Sequence, residues 1–184
     1  AEGQKQVLEK LGVSEENVGC PIRASMETVL LGVVQENVDV YFDKLAYEEA
    51  DGVIVVARIK PHTDFKGPIE SGIHKMLGIG LGKHKGASYL HRGGMDDFST
   101  LLENAGQLII EKTPFLFGVG IVEDSNHQTA HLELITKENV LTREKELLIE
   151  AKKLMAKFWL DEIDVLIIDE IGKNISGSGL DPNV

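Results

Sequence analysis

Asp51-Gly-Val-Ile-Val-Val-Ala57 is a short, unbroken apolar run rich in β-branched residues. Such a run is the pattern of a strand buried on both faces, as in parallel sheets. The chain after it is polar and glycine-rich: Arg58-Ile-Lys-Pro-His-Thr-Asp-Phe-Lys-Gly-Pro-Ile-Glu-Ser-Gly-Ile-His-Lys-Met-Leu-Gly-Ile-Gly-Leu-Gly-Lys-His-Lys-Gly-Ala-Ser-Tyr-Leu-His91. Four of the six histidines fall in this stretch, so the chemistry-bearing side chains begin where the strand ends. In open α/β sheets ligands collect at the carboxyl ends of strands, which puts His62 in the expected place. Pro61 keeps Lys60 out of helical geometry and sharpens the corner.

Outward from that strand, helices and strands alternate. Upstream, Val7, Leu8 and Leu11 before Gly12 read as a short helix, Ser14 as the cap of another turn, and Val38-Asp-Val-Tyr-Phe42 as a strand. Downstream, Asp96-Asp97 can cap a helix whose apolar face is Phe98, Leu101, Leu102, Ala105, Leu108 and Ile109. Thr113–Val122 is a second strong strand ending in the polar cluster Glu123-Asp-Ser-Asn-His-Gln128, and His131–Ile135 a third. A helix is expected over Thr142–Phe158, with Glu144 and Glu146 near the positive end of its dipole, and a fourth buried strand over Asp164–Ile168. The pattern predicts the α/β class: a largely parallel sheet flanked by helices, in a Rossmann-like layered domain.

Composition narrows the function classes. The 184 residues are 42% apolar and 27% charged, enough for one good core. A net charge of −11 argues against nucleic acid or an anionic membrane as partner, although Lys83-His-Lys85 is a local basic patch. No apolar run approaches a membrane span, no signal peptide opens the chain, and a single cysteine, Cys20, excludes an internal disulfide. A cytoplasmic protein is expected.

The simplest motifs fail on spacing. Gly78, Gly80 and Gly82 run G-x-G-x-G, not the dinucleotide fingerprint, and Gly82-Lys83-His84 lacks the Ser or Thr of a phosphate loop. His127 and His131 stand four apart but without the metalloprotease Glu, and read as a surface pair. Of His62 and His91, which only folding could bring together, His62 is the stronger candidate for a functional side chain, since a histidine on a loop is often merely solvated.

Lys60-Pro-His62, then Ser71-Gly-x-x-Lys75, then His91 sixteen residues after that lysine, together resemble the lactate racemase family that uses a nickel-pincer nucleotide, particularly its 2-hydroxyacid isomerase paralogues. Glu2-Gly-Gln4, Pro61–Phe65, Glu70-Ser-Gly72, Gly80–Lys83 and Asp169–Ser176 fit the same paralogues, so the resemblance covers essentially the whole chain. Between His62 and Ser71 the chain is about three residues longer than the racemases themselves, a difference in loop length.

The resemblance implies a pyridinium bis-thiocarboxylate mononucleotide joined to Lys75 beside Ser71 and Gly72, with His91 as the nickel ligand and His62 as the acid/base group on a 2-hydroxy acid, Asp64 or His74 being the alternatives for that last role. It also implies that residues 1–184 are part of a single cofactor-binding domain, truncated at both ends. The other acid/base histidine and a second, substrate-binding domain would lie outside, leaving this stretch inactive alone. Two other classes compete: a non-catalytic nucleotide- or phosphate-binding module using Lys75, Lys83 and Lys85, and a metal hydrolase using His62 and His91 directly.

Overall fold

The structure is a computed structural model and describes residues 2–35, 37–92, 97–172 and 179–184. Helix α1 (Glu2–Lys10) leads to α2 (Glu15–Val18), whose Ser14 cap accepts the Asn17 N–H and whose end is closed by left-handed Gly19. Strands β1 (Thr28–Val34) and β2 (Val38–Asp43) form an antiparallel hairpin, and Asp43 then caps α3 (Lys44–Glu49). After β3 (Val53–Arg58) comes a long loop, the single turn α4 (Ile73–Lys75), a π-helical turn over Met76–Gly80 and α5 (Lys83–Arg92). The chain continues through α6 (Phe98–Lys112), β4 (Phe115–Glu123), β5 (Thr129–Thr136) and α7 (Val140–Leu154).

The fold is mixed α/β. Its three-stranded sheet has the order β3-β4-β5, with β3 and β4 parallel and β4 and β5 antiparallel. Among the described residues β3–β4 is thus the single parallel pair, where a largely parallel sheet was expected. Loop length explains the difference. Only residues 124–128 separate β4 from β5, and a parallel return needs a crossover of about a dozen residues or more.

Helix α6 lies at the centre of the core. Its Leu102, Ala105 and Ile109 are fully buried with Ile73, Leu77, Leu90, Ile135 and Leu147. Each large apolar side chain so buried contributes about 1.5–3 kcal/mol relative to exposure. Close approach to the sheet depends on Gly118, where a Cβ would stand 2.4 Å from Ile73 Cδ1.

Three further expectations are corrected. Strand β3 is buried on one face, not two: Val53, Val55 and Ala57 point inward, whereas Ile54 and Val56 are at least half exposed because the helices it touches pack on one side. The expected fourth strand does not form, and Val165 and Ile167 are exposed. An apolar run becomes a strand only where a ladder partner satisfies its backbone, and among the described residues β3 pairs with β4 alone. Helix α7 starts at Val140 behind Asn139 rather than at Thr142 and stops at Leu154, where Met155 turns extended. Asp97 stands at the N-cap of α6 without a side-chain bond, and Asp96 and residues 173–178, which include part of the Asp169–Ser176 motif, lie outside the described residues. No helix of the described residues is long and apolar enough to cross a membrane.

Candidate functional site

The connection from β3 to α4 is closed on itself by hydrogen bonds. Ile59 N–H still donates to Ile121 O across to β4, so the polar loop begins at Lys60. Ser71 Oγ accepts the Lys60 N–H at 2.7 Å and donates to Lys60 O at 2.6 Å. His62 N–H donates to Glu70 Oε2 at 2.8 Å, and Lys66 Nζ donates to His62 O at 2.9 Å. Gly72, at φ +106°, makes the turn into α4 in a conformation other residues rarely adopt, and a Cβ there would stand 2.4 Å from Glu144 Oε1.

His74 is fully buried and holds this turn from below. Its N–H and ring Nδ1 both face Glu144 of α7, with Nδ1 2.6 Å from Oε2, while Nε2 lies 3.2 Å from Gln107 Nε2 of α6. With Nδ1–H donating to the carboxylate and the Gln107 amide donating to Nε2, both ring nitrogens are occupied. That removes His74 from the candidates for proton transfer. The next residue, Lys75, points the other way.

Lys75 emerges into a cleft of about 690 Å³ at the carboxyl ends of β3 and β4. Lys60, His62, Asp64 and Ser71 share its walls, with Asp124 from the loop after β4 and Met155 from the end of α7. Burial, and then the charge of Lys60, hold the Lys75 ammonium below the usual lysine range, against an opposing pull from Asp64. His62 is likewise held below the usual histidine range by partial burial and by Lys75, with Asp64 and Glu70 opposing. The Lys75 charge thus lowers the proton affinity of the imidazole, while Lys75 itself is lowered by burial and Lys60, the direction that nucleophiles and bases at neutral pH require.

The His62 tautomer is set by its neighbour. Nδ1 accepts the Asp64 N–H at 3.1 Å, so the neutral ring carries its proton on Nε2. Accepting a proton at Nε2 requires the other tautomer, with Nδ1–H turned to the Asp64 carboxylate, whose Oδ2 lies 4.0 Å away.

Of the residues singled out in the sequence, the fold brings Lys60, His62, Asp64, Ser71, Lys75 and, at the rim, the exposed His127 into one cleft and leaves His91 outside its walls. Ser71 spends its hydroxyl on Lys60, and Gly72 supplies the turn. His91, exposed in the last turn of α5, stacks on Phe98 with centroids 4.9 Å apart. Phe98 packs on Phe65 at 5.1 Å, and Phe65 in turn carries His62 at 4.4 Å and Lys75 Nζ at 5.6 Å. An aromatic pair therefore separates His91 from the cleft while touching all three groups. Among the described residues no group of three or more His, Cys, Asp or Glu side chains could hold a metal. His127 and His131 stand against surface carboxylates, Glu123 for the first and Glu133 and Glu150 for the second.

Sequence reasoning missed the acidic groups beneath the site. Glu144 reads locally as a surface residue of a helix start, yet it is buried against His74. Glu70 stands in the Glu70-Ser-Gly72 segment with no role apparent from its neighbours, and it is buried under His62. An acidic residue beside a glycine turn was the available signal. Compared with known proteins, the chain matches no family model, no curated protein and no solved structure.

Proposed function

We propose that the chain is part of the cofactor-binding domain of a racemase or epimerase of 2-hydroxy acids, with a nickel-pincer nucleotide attached through Lys75. The observation that carries this reading is the shared cleft. A half-buried amine of lowered proton affinity and an imidazole of lowered proton affinity face the same space at the strand ends. The amine fits the covalent anchor, because an unprotonated lysine is the form that acylates. His91 fits the metal less directly, since Phe65 and Phe98 stand between it and the cleft; a pincer that brings three donors of its own asks the protein for one ligand.

When bound, such a group supplies a hydride acceptor beside the 2-carbon of the substrate. The chain supplies the proton. Neutral His62, in the tautomer with Nδ1–H on the Asp64 carboxylate, takes the hydroxyl proton at Nε2 and returns it from the imidazolium when the 2-oxo acid is reduced. Its lowered proton affinity keeps the base form populated at neutral pH. In this reading β3, its crossover helices and β4 are the parallel unit of a Rossmann-like layered domain in a cytoplasmic enzyme for small molecules.

The alternatives fare less well on geometry. Lys83 is paired with Asp43 at 2.6 Å and Lys85 lies over Tyr41, so neither joins Lys75 as a phosphate clamp. A hydrolase metal held by His62 and His91 would have to displace Phe65 and Phe98. The full-length protein, produced with the cofactor-making enzymes and given single enantiomers of short 2-hydroxy acids, is expected to convert one to its mirror form, and Lys75→Ala to abolish this. Conversion that survives Lys75→Ala rejects the reading, as does a loaded enzyme inert toward every 2-hydroxy acid offered.

A further inference from the structure

Glu70 lies eight residues after His62, and its side chain is fully buried beneath the loop. Three donors converge on the carboxylate. His62 N–H reaches Oε2 at 2.8 Å, while Gly67 N–H and Lys152 Nζ reach Oε1 at 3.1 and 2.6 Å. Burial alone would raise its proton affinity, but the Lys152 ammonium and the two N–H groups override burial and hold the carboxyl below the usual carboxylate range. Glu70 is therefore a buried charge at neutral pH. Desolvation offsets much of the Coulomb gain of such a pair, so loop closure alone does not account for a charge here. Lys152 belongs to α7, and Met155 and Ala156 just beyond the end of that helix line the cleft, so one segment both walls the site and anchors the loop.

We infer that Glu70 is a positioning residue for His62: held by Lys152, its carboxylate fixes the main chain from which the imidazole enters the cleft and sets a negative charge behind the ring. The catalytic half of this role rests on His62 being the acid/base group; the structural half does not. The other groups facing His62 are known. Lys75 and Lys60 approach from the cleft, Asp64 stands beside Nδ1, and Lys66 and Asn183 bond its carbonyl oxygen at 2.9 and 3.1 Å.

The test is histidine-resolved NMR on the full-length protein without cofactor, with Glu70→Gln and Lys152→Met. Glu70→Gln keeps the shape but removes the charge and turns an amide NH2 toward donors. The His62 titration midpoint should fall further and its signal broaden, while that of His131, outside the cleft, stays put. Lys152→Met leaves the carboxylate uncompensated, so the midpoint should move up instead. In the loaded enzyme Glu70→Gln should lower kcat on the order of 10–10²-fold with KM little changed, as a displaced catalytic group does. A folded Glu70→Gln protein with wild-type His62 midpoint and line width overturns the proposal, whatever its melting temperature. Should Glu70→Gln fail to fold, Lys152→Met decides, since its side chain is 41% exposed, and an unmoved His62 there overturns the proposal equally. A moved His62 in an enzyme that racemises normally as His62→Ala supports the positioning and rejects the base assignment.

Discussion

His62 and His74 lie twelve residues apart on one connection, and the fold treats them oppositely. The His62 side chain is 24% exposed, and its Nε2 bonds no group among the described residues. His74 is wholly buried with both ring nitrogens engaged. One is an open valence at the lip of a cleft and the other is a strut. Nothing local separates them: each has a charged side chain within the next three residues. The distinction is made by Glu144, seventy residues further along the chain. A histidine is free for chemistry when no distant carboxylate claims it.

Breaking the strut should have the largest effect. Glu144→Ala leaves the Nδ1–H and the main-chain N–H of His74 buried without their acceptor while Nε2 keeps Gln107, a loss of about 1–3 kcal/mol for each orphaned donor in the full-length protein, measured by denaturant unfolding. Removing His62 should do the reverse. His62→Ala is expected to change stability by less than about 1 kcal/mol, since the ring is only partly buried and its Nε2 holds no partner among the described residues, while lowering turnover on the order of 10²–10⁴-fold, the usual contribution of a positioned acid/base group. Equal stability losses in the two variants would erase the comparison. Next comes His91→Ala, which should keep the organic part of the cofactor and lose nickel on dialysis, read by elemental analysis. Retained nickel would reject His91 as the ligand.

The smallest effect is in pH. The folded His62 ring binds its proton less readily than the unfolded one, whose pKa is near 6.5. Above that value both states are neutral and the group costs nothing; as pH falls below it the unfolded state gains protons first and stability drops. Wild type should therefore lose slightly more stability than His62→Ala between about pH 7 and about pH 5. The opposite ordering would mean that the ring is better solvated than its place in the cleft implies.

The parts of this arrangement that are local in sequence were legible there. The apolar run ending at Ala57 and the polar loop after it pointed to the strand end where the cleft lies, whereas Ser71 and Lys75 on its wall were singled out by the family resemblance alone. The helical face from Phe98 to Ile109 is the buried face of α6 apart from half-buried Leu108. What is non-local was hidden. Asp164–Ile168 carries a strand's composition but finds no ladder, and neither propensity nor periodicity reports on a partner. Glu144 and Lys152 suit an exposed helix surface, and only the packing of α7 against α4 and the loop makes them partners of His74 and Glu70. The turn from β4 into β5 was readable in principle, because residues 124–128 are too few for a parallel return.

Lys75, next to the His74 strut and on the wall of the His62 cleft, is the proposed covalent anchor on which the proposed chemistry depends. Its role is tested most directly by intact-mass and peptide mass spectrometry of the full-length protein produced with the cofactor-making enzymes. The prediction is an adduct of nucleotide size that survives denaturation, maps to Lys75 and disappears in Lys75→Ala. An unmodified Lys75, or an adduct carried instead by Lys60 or by another lysine, would contradict it.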